Sequence, residues 1–331
     1  MTQTFAALQT RADGDRYITT VVQRHLDDLP EGEVLIRVQW SSLNYKDALS
    51  ATGNKGVTRQ YPHTPGIDAA GEVVSDSSGT FAEGAGVIVT GYDLGMNTAG
   101  GYGEYIRVPA AWVTRLPQGM DARTAMLFGT AGLTAGLCVE ALLDNGVTPE
   151  DGEVLVTGAT GGVGSLAVAL LAHLGFRVVA GSGKPEAADW LTALGATSRL
   201  SREEMLAGAE RPILKPRWAG VVDTVGGEPL ANAIKSTVYG GSVACCGLAA
   251  STALPLTVLP FILRNVSLLG VDSVEPALAV KAAIWQRLAT DWRLPVLEQV
   301  LAAEVTLDGL PPWFDTILAG GMRGRILVRM S

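Results

Sequence analysis

With 331 residues, 47% of them hydrophobic and 18% charged, the chain can bury two ordinary cores. A net charge of −8 without a basic stripe argues against a nucleic-acid partner, and no apolar run has the length expected of a membrane span. The opening MTQTFAALQTRADGD lacks a signal-peptide layout, and Cys138, Cys245 and Cys246 make no disulfide framework, so a cytoplasmic location is expected.

The first third reads as β-rich. Phe5–Leu8, Glu33–Trp40, Ala70–Val74, Gly86–Val89 and Gly103–Val108 are strand candidates, separated by turns such as Pro30-Glu31-Gly32. Many short strands of this kind predict a compact, partly open barrel. The character changes at Asp121, which can cap a helix over Ala122–Phe128, and Leu133–Asp144 continues as a second helical pattern.

Next comes a complete βαβ unit. Val154-Leu155-Val156 is a short apolar strand, and Gly158 to Gly164 is a glycine-rich turn. Ser165–Leu174 is helical, Gly175 caps it, and Phe176–Ala180 is the second strand. The fingerprint register is Ala159-x-Gly161-x-x-Gly164. Gly161 would admit a pyrophosphate close to the backbone, and Gly164 would let helix and strand pack tightly. Ala159, Thr160, Gly161, Gly162, Val163 and Gly164 are therefore candidate nucleotide contacts, aided by the helix N-terminus. After the second strand an NAD site usually carries an acid, but here the chain reads Ala180-Gly181-Ser182-Gly183-Lys184. A hydroxyl and an ammonium suit the 2′-phosphate of NADPH. The alternative for Lys184 is a solvated residue that opens the next helix.

The alternation then continues. Ala187–Leu194 and Leu230–Thr237 read as helices, and Ala219–Val225, Gly241–Gly247 and Val266–Val271 as strands, which predicts an α/β, doubly wound parallel sheet. Ligands bind such sheets beyond the strands' carboxyl ends, where Gly247, Leu248, Val271 and Ser273 stand. A long helix from about Glu275 to Asp291 and a short αβ tail ending in Arg325–Val328 complete the chain.

Specific segments carry a resemblance. They are Leu29-Pro30-Glu31-Gly32-Glu33-Val34, Ser41-Ser42-Leu43-Asn44-Tyr45-Lys46-Asp47-Ala48-Leu49, Tyr61-Pro62-x-x-Pro65-Gly66-Ile67-Asp68-Ala69-Ala70-Gly71, Phe128-Gly129-Thr130-Ala131-Gly132-Leu133-Thr134-Ala135 and Val271-Asp272-Ser273-Val274. Together the chain resembles the medium-chain dehydrogenase/reductase superfamily, specifically its zinc-free quinone-oxidoreductase-like group and the acrylyl-CoA reductase branch of it. The resemblance implies a GroES-like catalytic domain from residues 1–126 and 272–331, enclosing a Rossmann NADPH-binding domain of residues 127–271. It also implies a homodimer: Asn265–Val271 is an apolar edge without lysine or proline, and relatives pair that strand with its twofold mate. Cover from the helix after Glu275 or from residues 254–263 is the competing arrangement.

No cysteine precedes Cys138, His25 and His63 stand alone, and Gly66-Ile67-Asp68 occupies the place of Gly-His-Glu in zinc-containing relatives, so no metal is expected. Hydride delivery to an activated double bond is then the natural chemistry: NADPH reduces the β-carbon of acrylyl-CoA or another 2-enoyl-CoA. The resemblance places Asn44, Tyr45 and Asp47 in the catalytic cleft. Tyr45 there either donates to the thioester carbonyl, supplies the proton, or forms an aromatic wall, and Asp47 reacts or orients a neighbour. Asn44 and Thr130 are candidate cofactor contacts, Thr130 at the carboxamide end, and Arg202 is a candidate for the 2′-phosphate or a solvated helix residue. Arg264 and Arg323 are candidates for anionic parts of the substrate or ordinary surface charges. The alternatives are an NADPH quinone or enone oxidoreductase and a non-catalytic NADPH-binding protein.

Overall fold

Alternation of side chains shapes the first part of the structure, and continuous apolar runs shape the second. Along Val34–Ser42, Val34, Ile36 and Val38 enter one core cluster, while Leu35 joins another with Phe5, Ala7 and Leu29. In Glu153–Val156 and Trp218–Asp223 almost every side chain is buried, as strands covered on both faces require.

The computed structural model describes residues 3–330. Its first elements are β1 (Thr4–Asp13), β2 (Arg16–His25), β3 (Val34–Ser42), α1 (Tyr45–Ala51), β4 (Asp68–Asp76), β5 (Gly86–Thr90), β6 (Tyr105–Val108), β7 (Val113–Arg115) and α2 (Ala122–Asp144). Then follow β8 (Glu153–Val156), α3 (Gly162–His173), β9 (Arg177–Gly181), α4 (Ala188–Ala193), β10 (Ser198–Leu200), α5 (Arg202–Leu206), β11 (Trp218–Asp223), α6 (Gly227–Lys235) and β12 (Thr237–Cys245). The chain closes with α7 (Leu259–Arg264), β13 (Ser267–Gly270), α8 (Leu278–Ala289), β14 (Leu301–Val305), α9 (Pro311–Leu318) and β15 (Arg325–Arg329).

Two units result. One comprises Met1–Thr130, Ser273–Ala289 and Leu301–Ser331; the other comprises Ala131–Asp272 and Thr290–Val300. The first holds the β1–β2 hairpin and a sheet ordered β14-β15-β3-β4-β5-β7, with β6 also paired to β3. The second holds a parallel sheet ordered β10-β9-β8-β11-β12-β13. Counted from β8, that is the 3-2-1-4-5-6 order of a doubly wound nucleotide fold, with its switch point between β8 and β11.

Four details differ from the sequence reading. Strand β2 is an added element; none of its residues is buried, so it lacks a core-facing signature. Residues 45–51 form a short helix that the sequence reading did not assign. Residues 290–300 cluster with the second unit, not with the expected catalytic domain: Trp190 Nε1 donates to Gln299 O at 2.7 Å and His173 Nε2 to Asp291 O at 3.1 Å. Finally, α2 is long and apolar enough to cross a membrane, but 78% of its most apolar window is buried inside the protein and it kinks at Gly129.

Candidate active site

The first unit contains a buried polar network centred on Asp68, the first residue of β4. Asp68 Oδ2 accepts from Ser42 Oγ at 2.6 Å, Asn44 Nδ2 at 2.8 Å and the Thr130 backbone N–H at 2.9 Å. Its Oδ1 accepts the Thr130 hydroxyl at 2.5 Å. Arg325 opens β15 and is buried; its Nη2 lies 3.8 Å from Asp68 Oδ2. The guanidinium also donates to Ser42 Oγ at 2.7 Å, Leu43 O at 3.1 Å, Asn44 Oδ1 at 3.2 Å and Leu127 O at 3.3 Å. Burial lowers the Arg325 pKa and the Asp68 carboxylate opposes that shift.

Gly129 makes this convergence possible. It adopts φ 54°, and a Cβ there would stand 2.5 Å from Asp68 Oδ2 and 2.6 Å from both Arg325 Nη2 and Ser42 Oγ. Only glycine leaves the network room and accepts that backbone. Beyond the kink the helix restarts at Thr130, whose N–H and hydroxyl are both taken by Asp68, so a carboxylate caps the helix N-terminus.

Asp47 anchors the neighbouring turn. It is fully buried in the first turn of α1 and accepts from the N–H groups of Asn44 and Ile67, each at 2.8 Å, and from Tyr102 Oη at 2.9 Å. Burial first, and the Asp68 carboxylate second, push its pKa up to about 7 against those three donors. Of the two expectations for Asp47, reacting or orienting a neighbour, its contacts to the Asn44 and Ile67 backbone favour the second. Asn44 is buried, at 9% exposure, and engaged through both amide atoms by Asp68 and Arg325, so it orients the network. Tyr45, the first residue of α1, is the member of this segment that stays accessible, at 42% exposure.

The second unit builds an anion cradle at its switch point. Gly158 has φ 59°, and a Cβ there would lie 2.3 Å from Thr224 Oγ1. A Cβ on Gly164 would lie 2.2 Å from Gly158 O, so α3 and the turn touch backbone to backbone. Helix α3 starts at Gly162 with Gly161 as an N-cap that supplies no side-chain bond. The N–H groups of its first turn are thus available to a phosphate, and Gly161, Gly162 and Val163 are half-buried and reachable. This geometry fits the pyrophosphate of a dinucleotide. Ala159 is a correction: its N–H is held by Gly181 O at 3.0 Å and its side chain is buried, so it supports the turn from behind, and Thr160 is buried beside it.

Beyond β9, Ser182 Oγ accepts the Lys184 N–H at 3.1 Å. The Arg202 guanidinium belongs to the same cluster: a Cβ on Gly183 would stand 3.4 Å from its Nε. Gly247 packs tightly on the Thr224 carbonyl, Leu248 is exposed, and Val271 N–H donates to Cys245 O at 2.9 Å. Ser273 lies in the loop before α8, half-buried. Arg264 is another correction: its guanidinium donates to Leu214 O at 2.6 Å, Lys235 O at 2.9 Å and Thr237 O at 3.3 Å, and so ties α6 and α7 together. Arg323 is exposed in the loop before β15. Ser42, Tyr102 and Arg325 are neighbours that sequence reasoning did not single out; a charged residue opening the apolar run Ile326-Leu327-Val328 is the signal for Arg325.

Residues 30–118 match the family model for the "Alcohol dehydrogenase GroES-like domain", and residues 162–289 match that for "Zinc-binding dehydrogenase". The acrylyl-CoA reductase AcuI of Ruegeria pomeroyi is 48% identical over 311 residues, 94% of each chain. The chain belongs to the acrylyl-CoA reductase branch of the medium-chain dehydrogenase/reductase superfamily. Two solved structures of this superfamily are also similar. The yhdH oxidoreductase of Salmonella enterica in complex with NADP is 46% identical, with TM-score 0.95, covering 98% of this chain and all of that one. Bacillus subtilis yhfP with NAD bound is 45% identical, with TM-score 0.96, covering 99% of this chain and all of that one.

Many medium-chain dehydrogenases hold zinc, and the matched description names it, but the donor set here does not fit. Among the described residues no three His, Cys, Asp or Glu side chains gather to hold a metal ion. Asp68 is saturated by hydrogen-bond donors, and His63 is buried with Nε2 bonded to Gly95 O at 2.9 Å. Burial also lowers the His63 pKa.

Proposed function

We propose that this protein is an NADPH-dependent reductase of acrylyl-CoA or a closely related 2-enoyl-CoA, yielding the saturated acyl-CoA. The near full-length similarity to an acrylyl-CoA reductase carries this reading. NADPH, rather than NADH, agrees with the Ser182, Lys184 and Arg202 cluster and with the NADP bound by the Salmonella enterica relative.

When bound, NADPH supplies the hydride that goes to the substrate β-carbon. The first turn of α3 would hold the pyrophosphate, and Ser182, Lys184 and Arg202 would hold the 2′-phosphate. Tyr45 donates a hydrogen bond to the thioester carbonyl, whose oxygen gains charge as the double bond is reduced. The α-carbon then takes a proton that comes from solvent, directly or through a side chain, completing the addition of hydride and proton across C=C. Asp68, Arg325, Asn44 and Asp47 hold the surrounding backbone without entering the reaction.

A homodimer and a cytoplasmic location belong to the same reading. Strand β13 lies at the open edge of its sheet, with Leu268 37% exposed, and the adjacent α7 presents Ile262 and Leu263 at 70% and 59% exposure. An apolar edge of this kind fits a second copy of the chain. A free quinone or enone is the runner-up substrate. NADPH consumption with acryloyl-CoA, crotonoyl-CoA and a simple quinone, each repeated with NADH, tests the proposal: acryloyl-CoA with NADPH should give the highest kcat/KM, and a preference for the quinone would refute it.

A further inference from the structure

We propose that Lys55 and Arg59 receive the phosphates of the coenzyme A portion of the substrate, with the solvent face of α1 as the track from there to Tyr45. The proposal rests on the enoyl-CoA reading above and extends it from the reacting end of the thioester to its nucleotide end.

The chain as a whole carries a net charge of −8, yet residues 44–67 hold Lys46, Lys55 and Arg59 against a single acid, Asp47. Asp47 is buried and bound to the Asn44 and Ile67 N–H groups and to Tyr102, so it offers these cations no surface partner. Lys55 and Arg59 are exposed, and among the described residues neither takes part in an ion pair. The loop that carries them is fixed in place. Asn54 O accepts the Val57 and Thr58 N–H groups, each at 3.0 Å, and the Ser50 and Thr58 hydroxyls share a bond of 2.6 Å. Arg59 N–H donates to Asn97 Oδ1 at 3.2 Å. Lys55 Nζ stands 4.6 Å from the centre of the Tyr61 ring, and Tyr61 Oη donates to Ser50 O at 2.6 Å. A ligand meeting this loop has little left to order. The track is visible in the burial of α1. Tyr45 and Thr52 are exposed and Leu49 is half-buried, at the spacing of one helix face, while Asp47, Ala48, Ser50 and Ala51 are buried behind them. That face is roughly 10 Å long. An extended pantetheine arm is longer, so a thioester at Tyr45 can set its phosphates over the loop, where an ammonium and a guanidinium are the donors they need.

The test compares acryloyl-CoA with the acryloyl thioester of N-acetylcysteamine, which keeps the reacting group and lacks the nucleotide, in steady-state kinetics with NADPH. The double variant Lys55→Gln, Arg59→Gln should raise KM for acryloyl-CoA roughly tenfold, the loss of two exposed charge contacts, with kcat nearly unchanged. Its kcat/KM for the truncated thioester should match that of the unaltered protein. The charge-keeping variant Lys55→Arg, Arg59→Lys should retain most of the affinity for acryloyl-CoA. Added salt should raise KM for acryloyl-CoA more steeply in the unaltered protein than in the double variant, because exposed pairs are screened. An unchanged KM for acryloyl-CoA, or equal losses for the two thioesters, overturns this proposal alone. A parallel loss of NADPH affinity, read by fluorescence titration, also overturns it and assigns the two cations to the cofactor. Failure of the unaltered protein to reduce either thioester overturns the enoyl-CoA reading and this proposal with it.

Discussion

Arg325 Nη2 lies 3.8 Å from Asp68 Oδ2, and neither side chain is more than 3% exposed. The two residues come from opposite ends of the chain, and their pairing joins β15 to the start of β4 inside the first unit. Removing one partner of a buried pair strands the other charge. Arg325→Met should therefore cost about 3–5 kcal/mol in denaturant unfolding of the first unit. Pairing it with Asp68→Asn should recover part of the loss, since that change removes the stranded carboxylate. A cost below about 1 kcal/mol for Arg325→Met would show that the pair is not a central tie.

The raised pKa of Asp47 makes a pH prediction whose sign is fixed. The folded chain holds this proton up to about pH 7, against an unfolded value near 3.8. Between those values the folded state binds more protons than the unfolded one, so stability falls as pH rises. Wild-type stability, measured relative to Asp47→Asn, should decline from pH 4 to pH 7 and level off above, by on the order of 4 kcal/mol. A relative stability that rises with pH across that range would contradict a raised pKa.

Lys184 and Arg202 should read the 2′-phosphate. A lost charge-assisted contact costs about 1.5–3 kcal/mol, so Lys184→Ala should weaken NADPH binding roughly tenfold or more and leave NADH almost unchanged. Arg202→Ala should act in the same direction, because its guanidinium stands beside Gly183. Equal losses for both cofactors would remove Lys184 from that role.

Leu268→Lys places a charge in the middle of the open β13 edge. If two copies pair along that strand, light scattering should show a dimer for the unaltered protein and a monomer for the variant at micromolar concentration. A dimer that survives the change unaltered has its interface elsewhere.

The doubly wound sheet was legible because its strands are uninterrupted apolar runs and its glycines fall at the one turn that needs them. Within that turn the register was subtler. Gly158, at φ 59°, makes the tight bend, while Ala159, in the fingerprint's first place, only backs it. The anchoring network was harder to read. Asp68, Ser42, Tyr102 and Arg325 are far apart in sequence, and their meeting depends on strand pairings that no local pattern encodes. Asn44 and Asp47 stand out in the sequence, and the structure buries both and engages them with Asp68, Arg325, Tyr102 and backbone N–H groups, which favours the orienting alternative for Asp47.

The proposed reaction is a hydride transfer from NADPH to the β-carbon of an enoyl-CoA. The most direct measurement follows NADPH deuterated at both C4 positions into the product formed from acryloyl-CoA, by mass spectrometry and NMR. Propionyl-CoA carrying one deuterium at C3, with the new C2 hydrogen drawn from solvent, is the predicted result. Deuterium at C2, or NADPH oxidation with a quinone but none with acryloyl-CoA, would contradict it.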